Sequence, residues 1–251
     1  MIETWVYPVL TAVAVLTGFI DAIAGGGGLI MMPALLFSGV PPVQALGTNK
    51  LQSMFGTAMA LRNYSRSGLV EWRPNRLSVV LVFLGAVAGA WIVQSIDSSL
   101  LNLIIPVLLV AVALYVLLSP RMSDEDAQQR VSSTGYAPIG SAIGLYDGFF
   151  GPGTGTFFTA SLVASRGYGL TKATALTKLF NFTSNVASVI LFALGGHMLW
   201  LLGACMAVGA MLGGWIGSHT ALKFGARLIR PLLVVISLGL TARLLWGYFA
   251  G

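Results

Sequence analysis

An acid and four consecutive glycines, Asp21 and then Gly25, Gly26, Gly27 and Gly28, interrupt an otherwise apolar stretch over residues 5–37. Flanks this hydrophobic place the unwound backbone at membrane depth. Non-helical backbone survives there only where it is buried in protein or lines a polar cavity. The same device returns in the second half, where Asp147 precedes Gly148, Gly151, Pro152, Gly153, Thr154 and Gly155. Two matched interruptions, one per half, are a strong sequence pointer to a transporter's substrate site.

The rest of the chain suits a membrane. Of 251 residues, 56% are hydrophobic and 9% charged, against about 25% charged in soluble domains. The reading is an all-α polytopic membrane protein without a separate soluble domain. The first repeat spans 1–118, with a re-entrant or broken-helix hairpin at 5–37 and helices at 45–61, 77–93 and 100–118. A connector at 119–135 leads to the second repeat, 136–251, with a hairpin at 137–164 and helices at 174–194, 199–217 and 228–248. The short segments after each glycine break cannot cross a bilayer alone. The N-terminus lacks a basic n-region, so no signal peptide is expected. The single Cys205 leaves no intrachain disulfide and reads as a small buried hydrophobe.

The halves align at offsets of 124 to 128 residues: Asp21 with Asp147, Lys50 with Lys178, Gly68 and Trp72 with Gly196 and Trp200, Gly85 and Gly89 with Gly209 and Gly213, Pro106 with Pro231. The G-x-x-x-G pairs allow close helix approach, the prolines start or kink helices, and the tryptophans suit interface anchors. Basic residues fix the orientation. Arg62, Arg66, Arg73, Arg76, Arg121, Arg130, Arg166, Lys172, Lys223, Arg227 and Arg230 fit one face, which is assigned to the cytoplasm, while the loops near Asp97 and His197 carry no Lys or Arg. The loop over 62–76 is then internal and its counterpart near 195–200 external, so the repeat is inverted. Both termini come out external, in a multi-pass protein of the cell membrane. The net charge of +6 is therefore topological, and no nucleic-acid partner is expected.

At the breaks, amides of Gly25, Gly26, Gly27, Gly28, Gly151 and Gly153, with Thr154, can converge on an oxyanion at the positive end of the short helix that follows. Alternatively the glycines serve only tight turns and close packing. On the next helix Lys50, Ser53, Thr57 and Ala60 repeat as Lys178, Asn181, Asn185 and Ser188, and the 3-4-3 spacing puts each set on one face. Asn49 and Thr177 precede the lysines. Such a stripe suits the wall of an aqueous path, while snorkelling lysines and interhelical polar contacts are the plainer alternatives. Asp21 and Asp147, the acids within the hairpins, have three open roles: pairing with Lys50 or Lys178, capping the broken helix, or carrying a proton. His197 and His219 have no ligand-spaced partners, so no metal or cofactor is expected.

The run Gly18-x-x-Asp21-x-x-Ala24-Gly25-Gly26-Gly27, then Gly47-Thr48-Asn49-Lys50-Leu51, then a degenerate second copy, resembles the TauE/SafE family of sulfite and organosulfur anion exporters. The resemblance implies an exporter of small sulfur-containing anions such as sulfite, sulfoacetate or other sulfonates. It carries over Asn49 and Lys50, with Thr177 and Lys178 from the second copy, as motif residues. The second copy departs where Gly47-Thr48-Asn49 becomes Ala175-Leu176-Thr177 and Gly26 becomes Pro152. The chemistry suits an anion independently, since a cation site would use carboxylates and carbonyls. The expected mechanism is alternating access around a midplane site between the hairpins, with protons as a further partner and no catalytic residue. A passive anion channel and an intramembrane aspartyl protease are the rival readings.

Overall fold

Apolar helices with polar interiors dominate the computed structural model, which describes residues 3–118 and 124–225. Among them lie nine α-helices: α1 (Val6–Ala24), α2 (Gly27–Phe37), α3 (Pro42–Arg66), α4 (Arg76–Gln94), α5 (Ser98–Leu118), α6 (Ala137–Phe149), α7 (Thr154–Arg166), α8 (Leu170–Leu194) and α9 (Trp200–Phe224). Five segments are long and apolar enough to cross a membrane: Val6–Ala24, Arg73–Gln94, Ser98–Tyr115, Leu170–Leu194 and Trp200–Phe224. The protein is an all-helical, multi-pass membrane protein. The expected helix at 228–248 lies outside the described residues, as do Arg121, Arg227, Arg230 and Pro231.

Several helices outrun their apolar cores. α3 runs over Pro42–Arg66 rather than 45–61, which puts Arg62 and Arg66 on a helix instead of in a loop. Its final turns are polar yet anchored, because Tyr64 is buried and donates to the Ala22 carbonyl at 3.0 Å. α8 starts at Leu170 rather than 174, and α9 continues to Phe224 rather than ending at 217. α2 and α7, at 11 and 13 residues, reach only about 17–20 Å at 1.5 Å per residue and fall short of a crossing. α3 is long enough but polar, and it hides Thr48, Asn49, Lys50, Gln52 and Thr57 inside the protein. Cys205 is half-buried rather than buried.

The hairpins pack crosswise. α1, from the first half, lies along α9 of the second, where an added Cβ on Gly213 would come 2.7 Å from the Phe19 nitrogen. α6, from the second half, lies along α4 of the first, where one on Gly89 would come 2.6 Å from the Phe149 nitrogen. The G-x-x-x-G spacings on α4 and α9 thus serve close backbone contact in apolar surroundings. Trp72, Trp91, Trp200 and Trp215 stay exposed on the outside. Each hairpin's break is carried into the centre, between α3 and α8.

Candidate functional site

The two glycine breaks touch each other. α1 ends on Gly25, whose φ of 76° a side chain would strain, and the chain turns back so that Gly27 lies against Asp21. In the second hairpin Gly151 and Gly153 take positive φ. The Tyr146 hydroxyl braces that turn through the Pro152 carbonyl at 2.6 Å, and the Thr154 hydroxyl donates to the Gly151 carbonyl at 2.6 Å. A Cβ on Gly25 would come 2.5 Å from Gly155 Cα, and one on Gly28 would come 3.1 Å from Pro152 Cα. The Thr156 hydroxyl closes the contact by donating to the Ala24 carbonyl at 3.3 Å.

Beside this contact is a polar cavity of about 340 Å³, including its opening towards solvent. Asp21, Gly25 and Gly28 line it from the first hairpin, and Asp147, Gly151, Gly153, Thr154 and Gly155 from the second. α3 contributes Asn49, Lys50 and Ser53, and α8 contributes Asn181 and Asn185. Of the two polar stripes, Lys50, Ser53, Asn181 and Asn185 therefore face this cavity. In the first turns of α2 and α7 the Leu29, Thr154 and Thr156 amides donate to the carbonyls three residues back, and Gly28 and Gly155, at the cavity wall, have no such backbone partner among the described residues.

Both lysines are buried, which excludes snorkelling: Lys50 is 2% exposed and Lys178 0%. Each sits eight residues into a helix, since α3 and α8 start earlier than their apolar runs. Each pairs with the acid of the other half. Lys50 Nζ lies 2.7 Å from Asp147 Oδ1, and Lys178 Nζ lies 3.4 Å from Asp21 Oδ2. The Ser184 hydroxyl donates to Asp147 Oδ2. Lys178 also donates to the Asp21 carbonyl.

Four expected residues stand off from this cavity. Lys178 lies behind Asp21, and Thr177 bonds the Thr159 hydroxyl at 3.0 Å. Gly26 caps the start of α2. Gly27 lines a second, adjoining polar cavity that shares Asp21, Gly28 and Ser53 with the first.

Sequence reasoning missed two residues. Ser184 lies off the 3-4-3 stripe and announces itself only through its bond to Asp147. Gln52, one residue before Ser53, donates from Nε2 to Asn49 Oδ1 at 2.9 Å and to the Ser53 hydroxyl at 3.0 Å, and so fixes two wall residues. Its place beside Asn49 and Ser53 was the available signal.

Chemically, the arrangement offers a buried ammonium, two hairpin turns and three amide side chains to a small polar solute. The family model described as "Sulfite exporter TauE/SafE" matches residues 10–244. The chain is 42% identical over 247 residues to the probable membrane transporter protein YfcA of Escherichia coli strain K12, covering 98% of this chain and 92% of that protein. It is 44% identical over 244 residues, 96% of each chain, to a probable membrane transporter protein of Haemophilus influenzae. It is 45% identical over 237 residues to the probable membrane transporter protein ORF9 of a Sinorhizobium species, covering 94% of this chain and 91% of that one. No solved structure matches.

Proposed function

Because the chain belongs to the TauE/SafE family and is a membrane transporter like its relatives, we propose that it exports small sulfur-containing anions such as sulfite, sulfoacetate or other sulfonates across the cell membrane. One observation carries this reading: a buried lysine, Lys50, lines the cavity where the two hairpin turns meet. An ammonium and helix-start amides favour negative charge.

The anion sits between the turns, against the Lys50 ammonium, with Asn49, Ser53, Asn181, Asn185 and Thr154 as orienting groups. The halves form an inverted repeat, with the connector in the cytoplasm and both termini outside. Rocking of one half against the other exposes the site alternately to each face. The crosswise ion pairs support this, because each ties a hairpin of one half to a helix of the other. Such ties are the contacts that rearrange when two halves move.

Purified protein in phospholipid vesicles tests the reading by counterflow. Vesicles loaded with unlabelled sulfite or sulfoacetate should transiently concentrate the labelled anion from outside. Flux that never saturates and shows no counterflow would mean a channel, and no flux of either anion would end the proposal.

A further inference from the structure

The two acids of the site are held in different ways. Asp147 has both carboxylate oxygens occupied, Oδ1 by Lys50 at 2.7 Å and Oδ2 by the Ser184 hydroxyl, and its side chain is 5% exposed. Asp21 has one long contact, Lys178 to Oδ2 at 3.4 Å, and its side chain is 25% exposed. Among the described residues, no hydrogen bond reaches its Oδ1. Asp21 also lines both polar cavities and sits where they join.

Charge counting makes this difference matter. Two ammoniums and two carboxylates leave the site neutral, so a monoanion entering it brings one uncompensated negative charge. In surroundings of low dielectric such a charge costs several kcal/mol. Protonating one acid removes the excess. We propose that Asp21 is the group that takes that proton, so that proton and anion cross together. This rests on the anion-transport reading above.

The step is a proton transfer and moves no electrons between centres. An aqueous acid in the cavity, hydronium or buffer, gives up a proton, an O–H bond forms on the Asp21 carboxylate, and the contact to Lys178 Nζ is released. Lys178 keeps the Asp21 backbone carbonyl as an acceptor, so its ammonium is not stranded. Asp147 is unsuited to the same step, because a proton there would have to displace Lys50 or Ser184.

Few charged groups face Asp21. α8 presents Lys178, and α3 presents Lys50 and Tyr64 within electrostatic reach. α2 carries no titratable residue, α9 presents Ala210 at the shared cavity, and α7 presents Gly155 and Thr156 at the hairpin contact. Transport of a monoanion is then electroneutral, and its direction follows the product of the anion and proton concentrations.

The test is calorimetric binding of methanesulfonate and sulfoacetate to the full chain in detergent. Neither titrates near neutral pH, so proton uptake is read from two buffers of different ionisation enthalpy. Wild type should take up about one proton per methanesulfonate bound. Asp21→Asn should abolish the uptake, Asp21→Glu should restore it, and Ser184→Ala, which frees an Asp147 oxygen, should keep it. Uptake that persists in Asp21→Asn, or disappears in Ser184→Ala, would overturn the assignment. Wild-type binding without uptake would overturn it and leave the anion reading standing. No binding of either sulfonate would overturn both.

Discussion

Lys50–Asp147 and Lys178–Asp21 occupy matching places in the two halves, yet one is a closed pair and the other an open one. The first is short, nearly buried and reinforced by Ser184, and its lysine forms part of the cavity wall. The second is longer, with the lysine fully buried behind a partly exposed acid. Both halves therefore hold an ion pair, and only the Lys50 pair puts its ammonium in the cavity wall. The residue matching Ser184 in the first half is Gly56, which cannot brace Asp21. The reinforcement exists on one side only.

Six substitutions sharpen this contrast. The largest effect belongs to Asp147→Asn, which strands a lysine that is 2% exposed. Losing one partner of a buried pair costs about 3–5 kcal/mol, so the detergent-purified variant should show a sharply lower thermal midpoint. Asp21→Asn should cost clearly less by the same measurement, since its carboxylate contact is long and Lys178 keeps the Asp21 backbone carbonyl as an acceptor. Equal losses would erase the difference between the pairs.

Next comes Gly155→Ala at the hairpin contact, where a Cβ would fall against the Gly25 backbone. Overpacking of this kind costs about 1–3 kcal/mol, and vesicle flux should drop with it. Ser184→Ala should lose about 1.5–3 kcal/mol, the worth of a hydrogen bond to a charged group. Gly196→Ala, whose Cβ meets open space but whose φ is 73°, should cost only about 1 kcal/mol. A similarly small change is expected from Tyr146→Phe, about 0.5–1.5 kcal/mol for one neutral bond to Pro152.

Much of the site was legible because helical register is a local property. The spacing put Lys50 and Ser53 on one face of α3 and Asn181 and Asn185 on one face of α8, and these four side chains line the cavity. The glycine breaks were legible too, since exposed backbone at membrane depth has few places to go. Which lysine each acid would meet was not legible. Both lysines are available to both acids in the sequence, and only the crossing of α1 over α9 and α6 over α4 decides. Thr177 sits in the motif beside Lys178 but turns towards Thr159, a choice made by how α7 packs on α8. Helix ends were misjudged wherever polar residues such as Asn63 and Tyr64 are anchored by distant partners, Ser218 and Ala22.

The most direct test of the central claim is a binding titration of sulfite and sulfonates against wild type, Lys50→Gln and Lys178→Gln. Lys50→Gln should weaken the best anion by at least about tenfold, roughly 1.4 kcal/mol, and Lys178→Gln should weaken it through the loosened Asp21. Unchanged affinity in both variants would show that no anion rests against these ammonium groups, and the account would be wrong.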